Sequence, residues 1–101
     1  MNRIDIKSAA EVLGALAHEN RLKIFLLLVE SGPDGISAGV ISASSDLTPS
    51  SVTFHLKELS RTGLVKSRQQ GRFVIYSATC KYIAPILEFL HSKCASLSAD
   101  C

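Results

Sequence analysis

TPSSVTFHLKELSRTG, residues 48–63, reads as a helix with two unlike sides. Thr48 followed by Pro49 marks its start, because a threonine oxygen accepts from the free amides of a first turn and proline fits the first helical position. The helix is expected to run to about Thr62 and to end at Gly63. At ~100° per residue, Ser50, Thr53, Phe54, Lys57 and Arg61 fall within about 100° of one another. Val52, Leu56 and Leu59 occupy the opposite face, which predicts the packed side. The outward set, with Ser51 at the helix start, offers hydroxyls, an aromatic ring and two cations. Such groups bond base edges and phosphates, or touch a thymine methyl. His55 lies between the faces, and two places stay open for it: a DNA contact near the helix start, or the edge of the core.

Upstream, Asp5 to about Ala17 places Ala9, Leu13 and Leu16 at helical spacing, and HENRLKIFLLLVE, residues 18–30, continues as a second, more buried helix. SGPDG stops it, with two glycines flanking a proline. Ser37 then caps a short helix through AGVISAS, and Asp46 and Leu47 make a turn. Downstream, LVKSRQQGRFVIYSA reads as a two-stranded hairpin, with Val65 and Ser67 on one arm, Phe73 to Tyr76 on the other and Gly71 in the polar centre. A last helix begins near Thr79 or Cys80, with Ile83, Ile86, Leu87 and Leu90 as its apolar stripe. The expected fold is mainly α with a small β-hairpin, one domain over residues 1–101. A short helix, a tight turn, a capped helix and a basic hairpin follow the order of a winged helix-turn-helix, whose second helix enters the major groove of duplex DNA.

Charge supports that partner. Residues 1–49 carry four basic and six acidic groups, whereas residues 50–76 carry Lys57, Arg61, Lys66, Arg68 and Arg72 against Glu58 alone. Lys66, Arg68, Gln70 and Arg72 gather around the hairpin tip, where a wing meets phosphates. At 101 residues the chain holds one core and gains from burial against a second copy, which predicts a homodimer. No apolar run reaches the ~20 residues of a membrane span, and MNRIDIKSAAE has no apolar leader core, so a cytoplasmic protein without a membrane partner is expected. There is no phosphate loop, paired-carboxylate arrangement or nucleophile with a placed base, which argues against an enzyme.

ALAHENRLKIFLLL, residues 15–28, and LTPSSVTFHLKELSRTGLVKSRQQGRFVIYS, residues 47–77, resemble the arsenic-responsive repressor (ArsR/SmtB) family of bacterial winged-helix dimers. The most specific matches are Asn20-Arg21-Leu22, Val52-Thr53-Phe54-His55-Leu56, Gly63-Leu64-Val65 and Gln70-Gly71-Arg72. The resemblance implies a repressor that sits on operator DNA as a homodimer, built largely from its first and last helices, and leaves when an inducer binds. It assigns dimerisation and inducer binding to the C-terminal helix and tail, residues 79–101.

Cys80, Cys94 and Cys101 are an odd number in a reducing compartment, which favours free thiols, ligands or sensors over a disulfide framework. Many arsenic-responsive members carry Cys-Val-Cys before the recognition helix, where this chain has GVISASSDL and no cysteine. A second subgroup carries a C-terminal Cys-Cys pair followed by another cysteine. Cys94 and Cys101 match that pattern, and Ala95 replaces the adjacent cysteine. The resemblance thus implies a trivalent arsenical inducer (arsenite, methylarsenite or antimonite) on Cys94 and Cys101, with Cys80 or the partner chain as the source of a third thiolate. On an unbroken helix those two thiols would lie about 10 Å apart along the axis, too far for one ion with bonds near ~2.3 Å. A shared site therefore requires the helix to stop after Cys94. A competing arrangement binds zinc across the dimer through Cys80, His91 and Cys94, with Ala78 where such zinc sensors hold a carboxylate. Two other readings stay open, a redox or persulfide sensor on the same fold and a protein-interaction module that no longer binds DNA.

Overall fold

The computed structural model describes residues 4–97, in the order α1 (Ile6–Leu16), α2 (Glu19–Ser31), β1 (Ile36–Ser37), α3 (Ala38–Ser45), α4 (Pro49–Arg61), β2 (Val65–Gln70), β3 (Phe73–Ala78) and α5 (Ile83–Ala95). The starts of α3 and α4 follow the predicted caps. Ser37 Oγ accepts from the Val40 amide at 3.4 Å, and Thr48 Oγ1 accepts from the Ser51 amide at 3.2 Å with Pro49 in the first turn. His18 caps α2, its Nδ1 accepting from the Asn20 amide at 3.2 Å. Arg21 closes the α1–α2 corner by donating from Nε to the Ala15 carbonyl at 2.6 Å.

One core holds the elements together. Ile24, Phe25 and Leu28 of α2, Ile41 of α3, Val52, Leu56 and Leu59 of α4, and Leu64 and Val65 meet Ala9, Val12 and Ala15 of α1 and Ile83 and Ile86 of α5. The stripe on α1 is a correction. Ala9, Val12 and Ala15 form its buried line, and Leu13 and Leu16 lean against the core half-buried. The reason is that α1 touches α2, α4 and α5 at once, so small residues face the crowded direction and larger ones flank it.

The sheet differs from the expected hairpin in two ways. It has three strands in the order β1-β3-β2, because Ile36 and Ser37 pair with Tyr76 and Ile75. Two residues are too short for a readable alternation, and a distant partner makes the strand. Gly35 permits the approach, since a Cβ there would lie 2.4 Å from the Tyr76 carbonyl oxygen. The hairpin arms are also longer, pairing from Val65↔Ala78 to Gln70↔Phe73, with Gly71 and Arg72 as a two-residue turn and Gly71 at φ 63°.

α5 starts at Ile83, later than the expected Thr79 or Cys80. The Thr79 amide donates to the Leu64 carbonyl at 3.0 Å, which holds that residue beside the end of α4, and Thr79 Oγ1 accepts from the Lys81 amide. Cys80 therefore precedes the helix. Ile83 and Ile86 dock α5 on the body, whereas Leu87 and Leu90 are 53% and 43% exposed. No helix among the described residues is long and apolar enough to cross a membrane. Helix, turn, capped helix and an antiparallel wing, in this order, make a winged helix-turn-helix.

Gly63 joins the end of α4 to this C-terminal region. It holds φ 79°, and a Cβ on it would stand 2.5 Å from Cδ2 of Tyr82. Gly63→Ala is expected to cost roughly 1–3 kcal/mol in urea unfolding. In a Tyr82→Ala background the same change should cost less, because the ring clash is gone and the left-handed backbone remains.

Candidate nucleic-acid interface

The outward face of α4 is as polar as its sequence suggests. Ser50, Thr53, Phe54, Lys57 and Arg61 are exposed, Ser51 is half-buried at the cap, and Val52, Leu56 and Leu59 are buried. Phe54 is 67% exposed, a ring held in solvent. Thr53 Oγ1 donates to the Pro49 carbonyl at 3.0 Å, so its oxygen presents lone pairs outward. Arg61 is already engaged, with Nε and Nη2 on the two Glu58 oxygens at 3.1 and 2.6 Å. That hydrogen-bonded pair holds the Glu58 carboxyl below its ordinary range.

The two places open for His55 are decided by packing. The side chain is 5% exposed, its ring centroid lies 4.8 Å from that of His18 and 5.5 Å from that of Phe54, and Nδ1 is buried with no hydrogen-bond partner among the described residues. His55 thus leaves the outward set and joins the wall between α4 and the start of α2. Burial lowers its pKa, and the nearby His18 and Arg21 lower it further.

On the wing, Lys66, Arg68, Gln70 and Arg72 are all exposed, but they are not equivalent. Arg68 donates from Nη2 to the Asp34 carbonyl at 2.8 Å and to Gln70 Oε1 at 3.2 Å, tying β2 to the loop before β1. Among the described residues Lys57, Lys66 and Arg72 make no side-chain hydrogen bond or ion pair, and so offer their charge outward. The Arg68 tie was not readable from sequence, because its acceptor is a backbone carbonyl 34 residues away.

Cys80 and Cys94 are free and exposed, and Cys101 lies outside the described residues. α5 ends at Ala95, one residue past Cys94. Ser96 Oγ donates to the Lys93 carbonyl at 2.8 Å, and the Leu97 amide donates to the Cys94 carbonyl at 3.0 Å, closing the last turn. His91 is exposed on the same helix. Among the described residues of one chain, no three His, Cys, Asp or Glu side chains come together as a metal site.

Residues 16–68 match the family model described as a helix-turn-helix domain. The transcriptional activator HlyU of Vibrio cholerae is 32% identical over 83 residues, 82% of this chain and 74% of that protein. Its solved structure superposes with a TM-score of 0.69 at 31% identity, covering 85% of this chain and 90% of that one, and a second structure is of reduced HlyU. An ArsR-like transcriptional regulator from Rhodococcus sp. RHA1 gives a TM-score of 0.77 at 26% identity, over 90% of this chain and 83% of its own. A homodimeric winged helix-turn-helix DNA-binding domain from Mycobacterium bovis, described as a possible ArsR-family regulator, gives 0.69 at 25% identity, over 90% and 81%.

The pocketed histidine sets a pH dependence. A histidine whose folded pKa is below its ordinary 6.5 takes up a proton more readily when unfolded. Stability is then complete above that value and falls as the pH drops through it towards the folded pKa. Urea unfolding at pH 7.5 and 5.5 should show a larger acid loss for the wild type than for His55→Phe, which has no proton to take up.

Proposed function

This chain belongs to the winged helix-turn-helix transcriptional regulators of the ArsR type, and from that premise we propose that it represses transcription as a homodimer on duplex operator DNA. The two-sidedness of α4 carries the reading: an apolar stripe locks the helix to the core, and Ser50, Thr53, Phe54 and Lys57 stand clear on the other side. α4 enters the major groove, and the β2–β3 wing lies along neighbouring phosphates. Leu87 and Leu90, exposed on a helix otherwise docked through Ile83 and Ile86, supply the apolar surface for a second copy. HlyU is named an activator. Repression here is the role in which an effector acts by release.

The effector we assign is a trivalent arsenical on C-terminal thiolates, chiefly Cys94 with Cys101. Soft thiolates suit a thiophilic metalloid. Two observations support the assignment: Cys94 is exposed, and it lies in the last turn of α5, which ends at Ala95. Methylarsenite suits two thiols because its methyl group fills one valence, whereas arsenite or antimonite needs Cys80 or a partner chain for a third. A second reading makes the thiols a redox or persulfide sensor. It is favoured by the exposure of both Cys80 and Cys94 and by the likeness to HlyU, for which a reduced form has been solved.

DNA selected from a random duplex pool provides the probe. Lys66→Ala and Arg72→Ala should each flatten the log affinity against log salt slope by roughly 0.9 for every phosphate that is no longer neutralised. Arg68→Ala should weaken binding without flattening it, because that guanidinium braces the wing. Salt-insensitive, weak association of the wild type would mean an interaction module in place of a DNA reader.

For the effector, fluorescence anisotropy of the bound duplex is followed as arsenite, methylarsenite, antimonite, zinc and polysulfide are added separately. An arsenical is expected to release the DNA, and Cys94→Ser is expected to keep DNA binding and lose release. Release by polysulfide alone would assign the thiols to redox sensing, and release by zinc alone would sink the arsenical reading.

A further inference from the structure

The wing ends in an aromatic ring that the core does not use. Gln70 pairs with Phe73 across the Gly71-Arg72 turn, and a Cβ on Gly71 would meet nothing within 4 Å among the described residues. Strand residues alternate between faces. In the observed register Phe73 and Ile75 share a face with Gln70, Arg68 and Lys66, whereas Val65, Tyr76 and Ala78, which touch the core, take the other. Phe73 is 59% exposed and has no aromatic or cation–π partner among the described residues. A large apolar ring therefore projects beside the Gln70 amide on its own face, with Arg72 adjacent in the turn and Lys66 farther along the same face.

That combination fits one surface. Cations and amides hold phosphate and sugar oxygens, and an apolar ring between them meets the stacked edges of bases. With α4 in the major groove, the neighbouring minor groove, about 6 Å wide, admits a hairpin tip and a flat ring but no helix. Resting on the DNA-binding reading above, we propose that Phe73 is a specificity-determining wedge. It enters the minor groove beside the α4 site and partly unstacks one base step, so the protein favours flexible TA or CA steps there. Unstacking is cheap at such steps and expensive in stiff A-tracts, which yields sequence preference where no base edge is hydrogen-bonded.

The test selects duplexes from a random pool with the wild type and, separately, with Phe73→Ala. Thermal unfolding of both proteins is compared first, and Phe73→Leu serves as a variant that keeps an apolar side chain. Both pools should converge on the same central sequence, and enrichment of TA or CA at the flanks should vanish with Phe73→Ala. On matched duplexes differing in that step alone, the wild type should prefer TA over AA by about tenfold, Phe73→Leu by less, and Phe73→Ala hardly at all. The salt slope should stay the same, because the phenyl ring neutralises no phosphate. A shared central sequence with unchanged flank preference in Phe73→Ala would overturn the wedge and leave the DNA-binding reading intact. If the wild type enriches no duplex at all, both fall, and the exposed ring belongs to a protein contact.

Discussion

The burial of Val52, Leu56 and Leu59 is the constraint on which the rest depends, since their inward lock decides what α4 presents outward. At about 1.5–3 kcal/mol each, these three residues weigh as much as the stability of an ordinary small domain, about 5–15 kcal/mol. Turning the helix by one position, ~100°, would trade them against Thr53 and Lys57. The polar face is thus held in register by the apolar one. His55 lies on the packed side of this lock, against His18 at the start of α2, and ties the helix to the α1–α2 corner at the expense of an unpartnered ring nitrogen.

Charge on the basic segment is divided between structure and surface. Arg61 is bound to Glu58, and Arg68 is bound to the Asp34 carbonyl. Each sits where an element would otherwise be loose, the last turn of α4 and the free arm of the wing. Lys57, Lys66 and Arg72 are left to act outward. Counting cations overstates the phosphate-facing charge for this reason, and one guanidinium adds its tie to a wing that the β1–β3 pairing and core contacts already place.

The C-terminal region reaches α4 through its last turn. Thr79 hydrogen-bonds Leu64, and the Tyr82 ring covers Gly63, so a movement of α5 is felt where α4 ends. Within the proposed role, an effector shifts the DNA-binding population to the extent that it binds one arrangement of α5 more tightly than the other. Cys94 at the far end of α5 has a lever of about three helical turns with Ile83 and Ile86 at its base. Coupling through so short a chain of contacts needs no further element.

Local chemistry was legible in the sequence wherever it is set by neighbours along the chain. Thr48-Pro49 opened α4, Ser37 capped α3, and the spacing of Val52, Leu56 and Leu59 separated the two faces. The winged helix-turn-helix order and the outward residues of α4 followed from these signals. Tertiary structure alone decided the features whose partners are distant. These are the β1 strand made by pairing with β3, the Arg68 tie to Asp34, the late start of α5 behind Thr79, and the choice between two places for His55. Capping and periodicity act within a turn or two of helix, so a sequence displays them. A backbone carbonyl 34 residues away, or a ring packed from the cap of another helix, leaves no pattern along the chain and exists only once the core has closed.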